Sequence, residues 1–72
     1  MLTVDLQKLK TLRKSQMSLD QMSSHLGYQS PNGYYYLETG RSKITAETLA
    51  KVATILKVPI EEFFVEKDEE DR

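Results

Sequence analysis

The 72-residue chain contains no cysteine, no tryptophan, two prolines, three glycines and a single histidine. Without cysteine, it forms neither disulfide bonds nor thiolate metal sites, and it has no thiol nucleophile. The lone histidine, His25, supplies too few nitrogen ligands for a Zn²⁺ site of the usual kind. No apolar run approaches the ~20 residues that cross a bilayer, and the first five residues do not resemble a secretory signal. We therefore expect a cytoplasmic domain without a membrane partner, stabilised by packing alone.

Charge is distributed unevenly along the chain. Residues 1–58 carry eight Lys/Arg and four Asp/Glu, a net charge of +4, whereas residues 59–72 carry two Lys/Arg and seven Asp/Glu, a net charge of −5. The overall net charge of −1 therefore hides a basic body and an acidic end. We expect residues 1–65 to form one domain. Residues 66–72 contain no apolar side chain and are expected to be a disordered tail.

Helical spacing of apolar residues begins at the N-terminal end. A leucine recurs at every third or fourth position, which indicates an amphipathic helix: Leu2, Leu6, Leu9 and Leu12. We predict that this first helix has Thr3 as its N-cap and ends near Lys14. Ser18 and Gln21 form a capping-box pattern that begins a second helix, and Gly27 ends it, because glycine tolerates the left-handed conformation.

A third helix is predicted over residues 31–39. Ser30 is a suitable N-cap, and Pro31 is tolerated at the first helical position, where its missing N–H costs nothing. The three consecutive tyrosines cannot share a face, because neighbouring helical residues lie about 100° apart. We expect Tyr34 and Leu37 to be buried, and Tyr35 and Tyr36 to face solvent or a partner.

Two more helices complete the predicted fold. Thr45 is the expected N-cap of a fourth helix, whose apolar residues follow the i, i+3, i+4, i+7 pattern: Leu49, Val52, Ala53 and Leu56. Pro59 prevents its continuation, and a last short helix follows with Ile60, Phe63 and Phe64 on its apolar side. No segment shows the alternation of a strand. The prediction is an all-α fold, a compact bundle of five short helices.

This succession of elements resembles the helix-turn-helix DNA-binding domains of Cro/CI-type phage repressors, the XRE family. The resemblance covers about residues 6–64, and its matching positions are Leu12-Arg13, Met17-Ser18, Met22, Leu26-Gly27, Tyr34, Leu37-Glu38-Thr39-Gly40-Arg41, Ile44, Thr48-Leu49, Val52-Ala53, Leu56, Val58 and Phe63-Phe64. It implies a lambda repressor-like domain that reads the major groove of double-stranded DNA with helix three. It further implies a bacterial or phage-encoded transcriptional regulator, most simply a repressor, that binds its operator as a homodimer without a cofactor.

The sequence departs from the family pattern in three places. The stretch between Gly27 and Glu38 is one residue longer than in most relatives, and the turn between Arg13 and Ser18 is about one residue shorter. Leu19 stands where many relatives have a glutamine that contacts the DNA backbone. The departures affect individual contacts and leave the expected fold intact.

Base contacts are expected from the start of helix three, which would point into the major groove. Asn32 offers a donor and an acceptor that suit adenine, and Tyr36 is placed to reach a base edge or a thymine methyl group. Tyr35 is expected along the sugar-phosphate wall, and Ser30 completes the set. Gly33 either lets the backbone approach DNA closely or permits packing against Ser23, and Asn32 is otherwise only an exposed residue near a helix start.

Phosphate contacts are expected from the ends of helices. The N-terminus of helix two carries a partial positive charge, so the N–H groups of Ser18 and Leu19 can hold one phosphate. Arg41, Ser42 and Lys43 form a polar, basic loop after helix three. The alternative for this loop is a solvated surface segment with no ligand.

Other prominent residues are expected to be structural. The resemblance implies an ion pair between Arg13 and Glu38 that joins helices one and three, partly buried and bidentate. Tyr28 is expected in the core, and His25 is expected to be an exposed helical residue.

Three functions remain open after this comparison. The first is an operator-binding regulator. The second is an antitoxin-like or anti-repressor module that chiefly holds another protein, and fold alone does not separate these two. An enzyme is disfavoured, because no set of nucleophile, base and orienting group can be assembled. If one of Phe63, Phe64 and Val65 projects outward, it forms a dimer or partner patch; if all point inward, they only complete the core.

Overall fold

The computed structural model describes residues 1–66, which contain α-helices, one 3₁₀ turn and two β-strands. The α-helices are α1 (Leu6–Lys14), α2 (Leu19–Leu26), α3 (Pro31–Glu38) and α4 (Ala46–Leu56). A 3₁₀ turn, Ile60–Phe63, follows α4, and two short antiparallel strands form a ribbon, β1 (Leu2–Val4) with β2 (Phe64–Glu66). The mostly helical class is confirmed. Within residues 1–66, however, there are four α-helices instead of five, and a two-stranded sheet is present.

The predicted start of the first helix is wrong. Helix α1 begins at Leu6, and its N-cap is Asp5, whose carboxylate accepts a hydrogen bond of 3.1 Å from the Lys8 N–H. Residues 2–4 instead pair with residues 64–66, with Val4 opposite Phe64. Local periodicity could not reveal this pairing, because the partner strand lies about 60 residues away in the sequence.

The predicted last helix is also corrected. Phe63 is fully buried, but Phe64 belongs to β2 and is 37% exposed, and Val65 is exposed as well. Phe63 ends the 3₁₀ turn and Phe64 begins β2, so these aromatic neighbours do not share the apolar face of one helix. Glu66, the first residue of the expected tail, is the last residue of β2. The rest of that tail, residues 67–72, lies outside the described residues.

Helix α2 has the ends that its sequence predicts. The Ser18 hydroxyl accepts from the Gln21 N–H, and the Gln21 side chain accepts from the Ser18 N–H, at 3.2 and 2.9 Å. Gly27 ends the helix in the left-handed conformation, with φ of 88°. Helix α4 begins similarly at Thr45, whose hydroxyl accepts from the Thr48 N–H.

One hydrophobic core joins all four helices and the 3₁₀ turn. Its buried apolar members are Leu9, Met22, Tyr34, Leu37, Leu49, Val52, Ala53, Leu56 and Phe63. Burying each large side chain stabilises the fold by about 1.5–3 kcal/mol. Because the inner side of α3 packs against α2 and α1, its outer side is left for other contacts. No helix within residues 1–66 has the length and apolar character needed to cross a bilayer.

Candidate nucleic-acid interface

Helix α3 has two chemically different sides. Tyr34, Leu37 and Glu38 are buried against the rest of the domain. Asn32, Tyr35 and Tyr36 are exposed, and the two tyrosines keep 44% and 38% of their surface accessible. These exposed residues follow the i, i+3, i+4 spacing of one helix face. The outer face therefore presents one amide and two phenol groups side by side.

The start of α3 leaves polar groups unsatisfied by the fold. Ser30 has the extended backbone of an N-cap, but its side chain accepts no hydrogen bond from the helix. Among the four α-helices of residues 1–66, only α3 lacks a side-chain cap. Because helix ends leave their first N–H groups without intrahelical partners, the amides of Asn32 and Gly33 and the Ser30 hydroxyl are available to a ligand.

The nearest neighbour of Gly33 is the ring of Tyr28. A Cβ atom at position 33 would lie 3.0 Å from Cδ1 of the Tyr28 ring, which is closer than ordinary van der Waals contact. Tyr28 itself is 37% exposed, so the expectation that it belongs to the core is wrong. Its ring lies against the first turn of α3, and it is held at the surface by that contact. The glycine thus allows an aromatic ring to approach the helix backbone.

The loop after α3 is tied back to the helix. Gly40 adopts the left-handed conformation with φ of 83°, and the N–H groups of Arg41 and Ser42 both donate to the Tyr36 carbonyl, at 2.9 and 3.1 Å. This Schellman-type ending turns the Arg41 side chain back over the helix. Its guanidinium carbon lies 5.4 Å from the centre of the Tyr36 ring, within cation–π range. Tyr36 and Arg41 therefore form one continuous surface with Tyr35, whose ring centre is 6.1 Å from that of Tyr36.

The two expected phosphate-binding regions lie on either side of this surface in the sequence. At the start of α2, the Ser18 N–H already donates to Gln21, so it is not available as expected. The Leu19 side chain packs against the core, which leaves its main-chain N–H at the helix end. After α3, Arg41, Ser42 and Lys43 are all exposed. Within residues 1–66, no carboxylate lies at ion-pair distance from either cation of this loop.

Comparison with known proteins shows the family to which the chain belongs. The family model described as helix-turn-helix matches residues 9–63, from α1 to the end of the 3₁₀ turn. The chain belongs to the helix-turn-helix family. It is a Cro/CI-type (XRE) domain, and its general function is DNA binding in transcription regulation. No curated protein and no solved structure matches the chain significantly.

In this helix-turn-helix domain, the acidic residue of α3, Glu38, is neutralised internally. The Glu38 carboxylate accepts hydrogen bonds from Nε and Nη2 of Arg13, at 3.1 and 2.7 Å, and both residues are only 5% exposed. A further Arg13 nitrogen donates to the Met17 carbonyl. The Glu38 hydrogen bond raises the pKa of Arg13, so the guanidinium stays charged. The pair fixes α3 to α1, and the Glu38 charge stays buried beside that of Arg13.

The hydroxyl of Tyr34 lies beside this ion pair. It is buried and has no well-formed hydrogen bond to any group of residues 1–66. Burial, together with the nearby Glu38 carboxylate, raises the pKa of Tyr34 well above its usual range. Tyr34 is therefore a neutral core residue of the helix-turn-helix and takes no part in its outer surface.

The stacking of Arg41 on Tyr36 is the part of the surface that sequence reasoning missed. The two residues are five positions apart, a spacing that does not bring side chains together within a regular helix. They meet because Gly40 reverses the chain direction at the helix end. A glycine immediately before an arginine at the end of a helix was the only available signal.

Proposed function

We propose that this helix-turn-helix domain is a sequence-specific transcriptional repressor that inserts α3 into the major groove of operator DNA. The observation that carries the proposal is the outer face of α3, where Asn32, Tyr35 and Tyr36 are exposed and make no side-chain hydrogen bond within residues 1–66. An α-helix fits the major groove, where each base pair has its own pattern of donors, acceptors and methyl groups. A repressor acts by occupying such a site.

The residues on this face have distinct proposed roles. Asn32 makes paired hydrogen bonds to adenine, for which its amide has the right donor and acceptor. Tyr36 contacts a base edge or a thymine methyl group, and Tyr35 lies along the sugar-phosphate wall. The Ser30 hydroxyl, which caps no N–H group of α3, donates a hydrogen bond to DNA. Gly33 allows the start of the helix to approach the bases.

Phosphate contacts hold α3 in register. The exposed Arg41–Lys43 loop supplies two cations and the Ser42 hydroxyl. At the start of α2, the Leu19 N–H and the Ser18 hydroxyl lie at a helix N-terminus, which is a favourable site for an anion. Affinity should fall as the salt concentration rises. If about four phosphates are neutralised per protomer, a plot of log Kd against log salt concentration should have a slope of about 3 to 4 per protomer.

Substitution of Asn32 tests the base contacts. We expect Asn32→Ala to weaken binding to the selected operator by about 1–3 kcal/mol and to relax selectivity at one base pair. Gln7→Ala is the control, because it removes an exposed amide from α1, away from α3. Both are measured by fluorescence anisotropy on duplexes with single base changes. Unaltered affinity and selectivity of Asn32→Ala would reject the proposed register of α3.

Substitution of Lys43 tests the phosphate contacts. We expect Lys43→Gln to weaken binding to all duplexes alike and to reduce the magnitude of the salt slope by about one. Lys51→Gln removes the same charge from the exposed surface of α4 beside His25 and should change the slope much less. An equal effect of both substitutions would mean that only net charge matters at these positions.

We propose that the protein binds DNA as a homodimer and that the two-stranded ribbon is the dimer interface. Phe64 and Val65 project from β2 and Leu2 from β1, and all three are exposed apolar residues at the surface. A dimer that binds a palindromic site needs its two α3 helices in successive major grooves, about 34 Å apart. Selection of bound duplexes from random sequence tests this arrangement, because a dimer enriches an inverted repeat. Enrichment of a single half-site would instead support the alternative, an antitoxin-like module whose ribbon binds another protein.

A further inference from the structure

At the C-terminal end of α3, a cation lies over an aromatic ring. The guanidinium carbon of Arg41 is 5.4 Å from the centre of the Tyr36 ring, which is within cation–π range. This contact, and not its exposed charge, sets Arg41 apart, because exposed lysines such as Lys10 and Lys51 also have no ion pair within residues 1–66. The position of Arg41 over the ring is therefore the feature to explain.

The backbone fixes where the Arg41 side chain starts relative to Tyr36. The N–H groups of Arg41 and Ser42 donate to the Tyr36 carbonyl at 2.9 and 3.1 Å, and Gly40 has a left-handed backbone with φ of 83°. A Cβ atom at Gly40 would lie 3.2 Å from Cδ1 of Leu6, so α1 also limits this turn. Because Tyr36 and Arg41 belong to one hydrogen-bonded turn, their contact forms without DNA.

The Tyr36 ring has a second aromatic neighbour and remains partly accessible. The centre of the Tyr35 ring lies 6.1 Å away, a separation typical of favourable aromatic pairs, and Tyr36 keeps 38% of its surface exposed. A side chain that moves freely before binding loses conformational entropy when a ligand holds it in one orientation. A contact that already restricts the Tyr36 ring lowers this cost.

We propose that Arg41 is a positioning residue for base recognition, because its guanidinium holds the Tyr36 ring in the orientation in which that ring contacts a base pair. This inference rests on the proposed function, in which Tyr36 contacts a base edge or a thymine methyl group. A guanidinium can lie over an aromatic face and still donate hydrogen bonds, so Arg41 also keeps its capacity to bind a phosphate. Sequence preference at one base pair then depends on a residue outside α3.

Two roles of Arg41 make different predictions. A residue that only binds phosphate positions the protein on DNA and carries no sequence information directly, so its loss weakens all duplexes alike. A residue that positions Tyr36 also changes the preference at the base pair that Tyr36 contacts. Selectivity therefore separates the positioning role from the phosphate contact.

The free protein gives the first test, which does not depend on DNA. Protons held over the face of an aromatic ring are shifted upfield by its ring current, so we expect upfield-shifted side-chain protons for Arg41. The shift should be lost in Tyr36→Leu and kept in Tyr36→Phe. Lys43→Gln is the control, because it removes a neighbouring charge and leaves the ring in place. Identical Arg41 proton shifts in the unsubstituted protein and in Tyr36→Leu would overturn the proposal.

DNA selectivity gives the second test. Duplexes selected from random sequence are compared with their single-base variants, and Tyr36→Ala identifies the base pair that Tyr36 contacts. At that pair, Arg41→Gln should reduce discrimination about two- to fivefold, as expected from loss of an exposed cation–π contact. Arg41→Lys keeps a cation and should restore part of this discrimination. Lys43→Gln is the matched control, and it should weaken all duplexes by one factor and leave discrimination unchanged.

The same substitution in a Tyr36→Ala background completes the test. There, Arg41→Gln should weaken every duplex equally, because no ring remains to be positioned. An equally uniform loss with Tyr36 present, or a Tyr36→Ala variant with unaltered preference at every base pair, would overturn the inference and leave sequence-specific DNA binding intact. If the unsubstituted protein preferred no duplex, the proposed function would be rejected and the inference with it.

Discussion

Helices α2 and α3 are each eight residues long and lie next to each other, yet they are built differently. Helix α2 has a complete capping box at its start and a left-handed glycine at its end. Helix α3 has a proline and a glycine in its first turn and no side-chain cap. The helix that follows the local rules serves the fold, whereas the helix that breaks them exposes the polar groups proposed to bind DNA.

The stability of the two helices has different sources. A glycine inside a helix costs about 1 kcal/mol relative to alanine, and a missing cap costs a similar amount. Helix α3 is nevertheless formed, because Tyr34 and Leu37 are buried in the core and Glu38 is paired with Arg13. Tertiary packing thus offsets the local costs of α3, while α2 obtains part of its stability from its own ends.

The largest test of this difference is the removal of Glu38. Glu38→Ala should lower the free energy of unfolding by about 3–5 kcal/mol, because Arg13 remains buried and charged without a partner. Asp20→Ala removes an exposed carboxylate from α2 and should change it by less than about 0.5 kcal/mol. Urea denaturation monitored by circular dichroism measures both. Similar small effects would contradict a tertiary origin of α3 stability.

The two serine N-caps give the next largest contrast. Ser18→Ala removes a capping hydrogen bond and should cost about 1 kcal/mol of stability, whereas Ser30→Ala removes none and should cost less than about 0.5 kcal/mol. Thermal and urea denaturation of the two variants provide the comparison. If Ser30→Ala proved as costly as Ser18→Ala, the start of α3 would be capped like the others.

The glycines provide a smaller contrast. Gly33→Ala gains about 1 kcal/mol of helix propensity, but it must displace the half-exposed Tyr28 ring, so we expect a net stability change within about 1 kcal/mol and weaker DNA binding. Gly27→Ala meets no atom within 4 Å, yet it is strained by the left-handed backbone and should cost about 1 kcal/mol. Denaturation and operator titration together separate the two causes. Full DNA affinity of Gly33→Ala would show that a side chain is tolerated at the interface.

The smallest expected effect concerns the ion pair between Lys8 and Glu62, which lies outside α2 and α3 and serves as a reference. The hydrogen bond from Lys8 lowers the pKa of the Glu62 carboxyl below its ordinary value of 4.5. The folded state therefore gains from this pair above pH 4.5, and the gain is lost as the pH falls through the lowered pKa. We expect an NMR titration of Glu62 to show a higher pKa in the Lys8→Met variant. An unchanged titration would mean that the pair does not persist in solution.

Sequence reasoning predicted most of the fold and identified the elements around the candidate site. The capping box of α2, the Pro31 start of α3 and the burial of Tyr34 and Leu37 follow from interactions within a few residues. The ribbon was missed because each strand has only three residues and a distant partner. For the same reason, helix periodicity was extended wrongly to Leu2.

The two wrong or missing predictions at the candidate site, for Tyr28 and for Arg41 on Tyr36, have a related cause. The burial of Tyr28 was predicted from its residue type, but its position depends on the absence of a side chain at Gly33. The stacking of Arg41 on Tyr36 depends on the left-handed backbone of Gly40. In both cases the position of an aromatic ring or of its partner depends on the backbone of a glycine, which the spacing of apolar residues does not describe.

The amino-acid order by itself determined both ends of α2, the starts of α3 and α4 and the apolar side of each of these helices, because caps, glycine and the helical repeat act over four residues or fewer. Only the folded chain decided which polar groups remain unpaired. The carboxylate of Glu38 is neutralised by a residue from α1, whereas the cations of the Arg41–Lys43 loop meet no carboxylate of residues 1–66. Arg13 and Glu38 are 25 residues apart in the sequence, so their pairing depends on how α1 and α3 pack against one another.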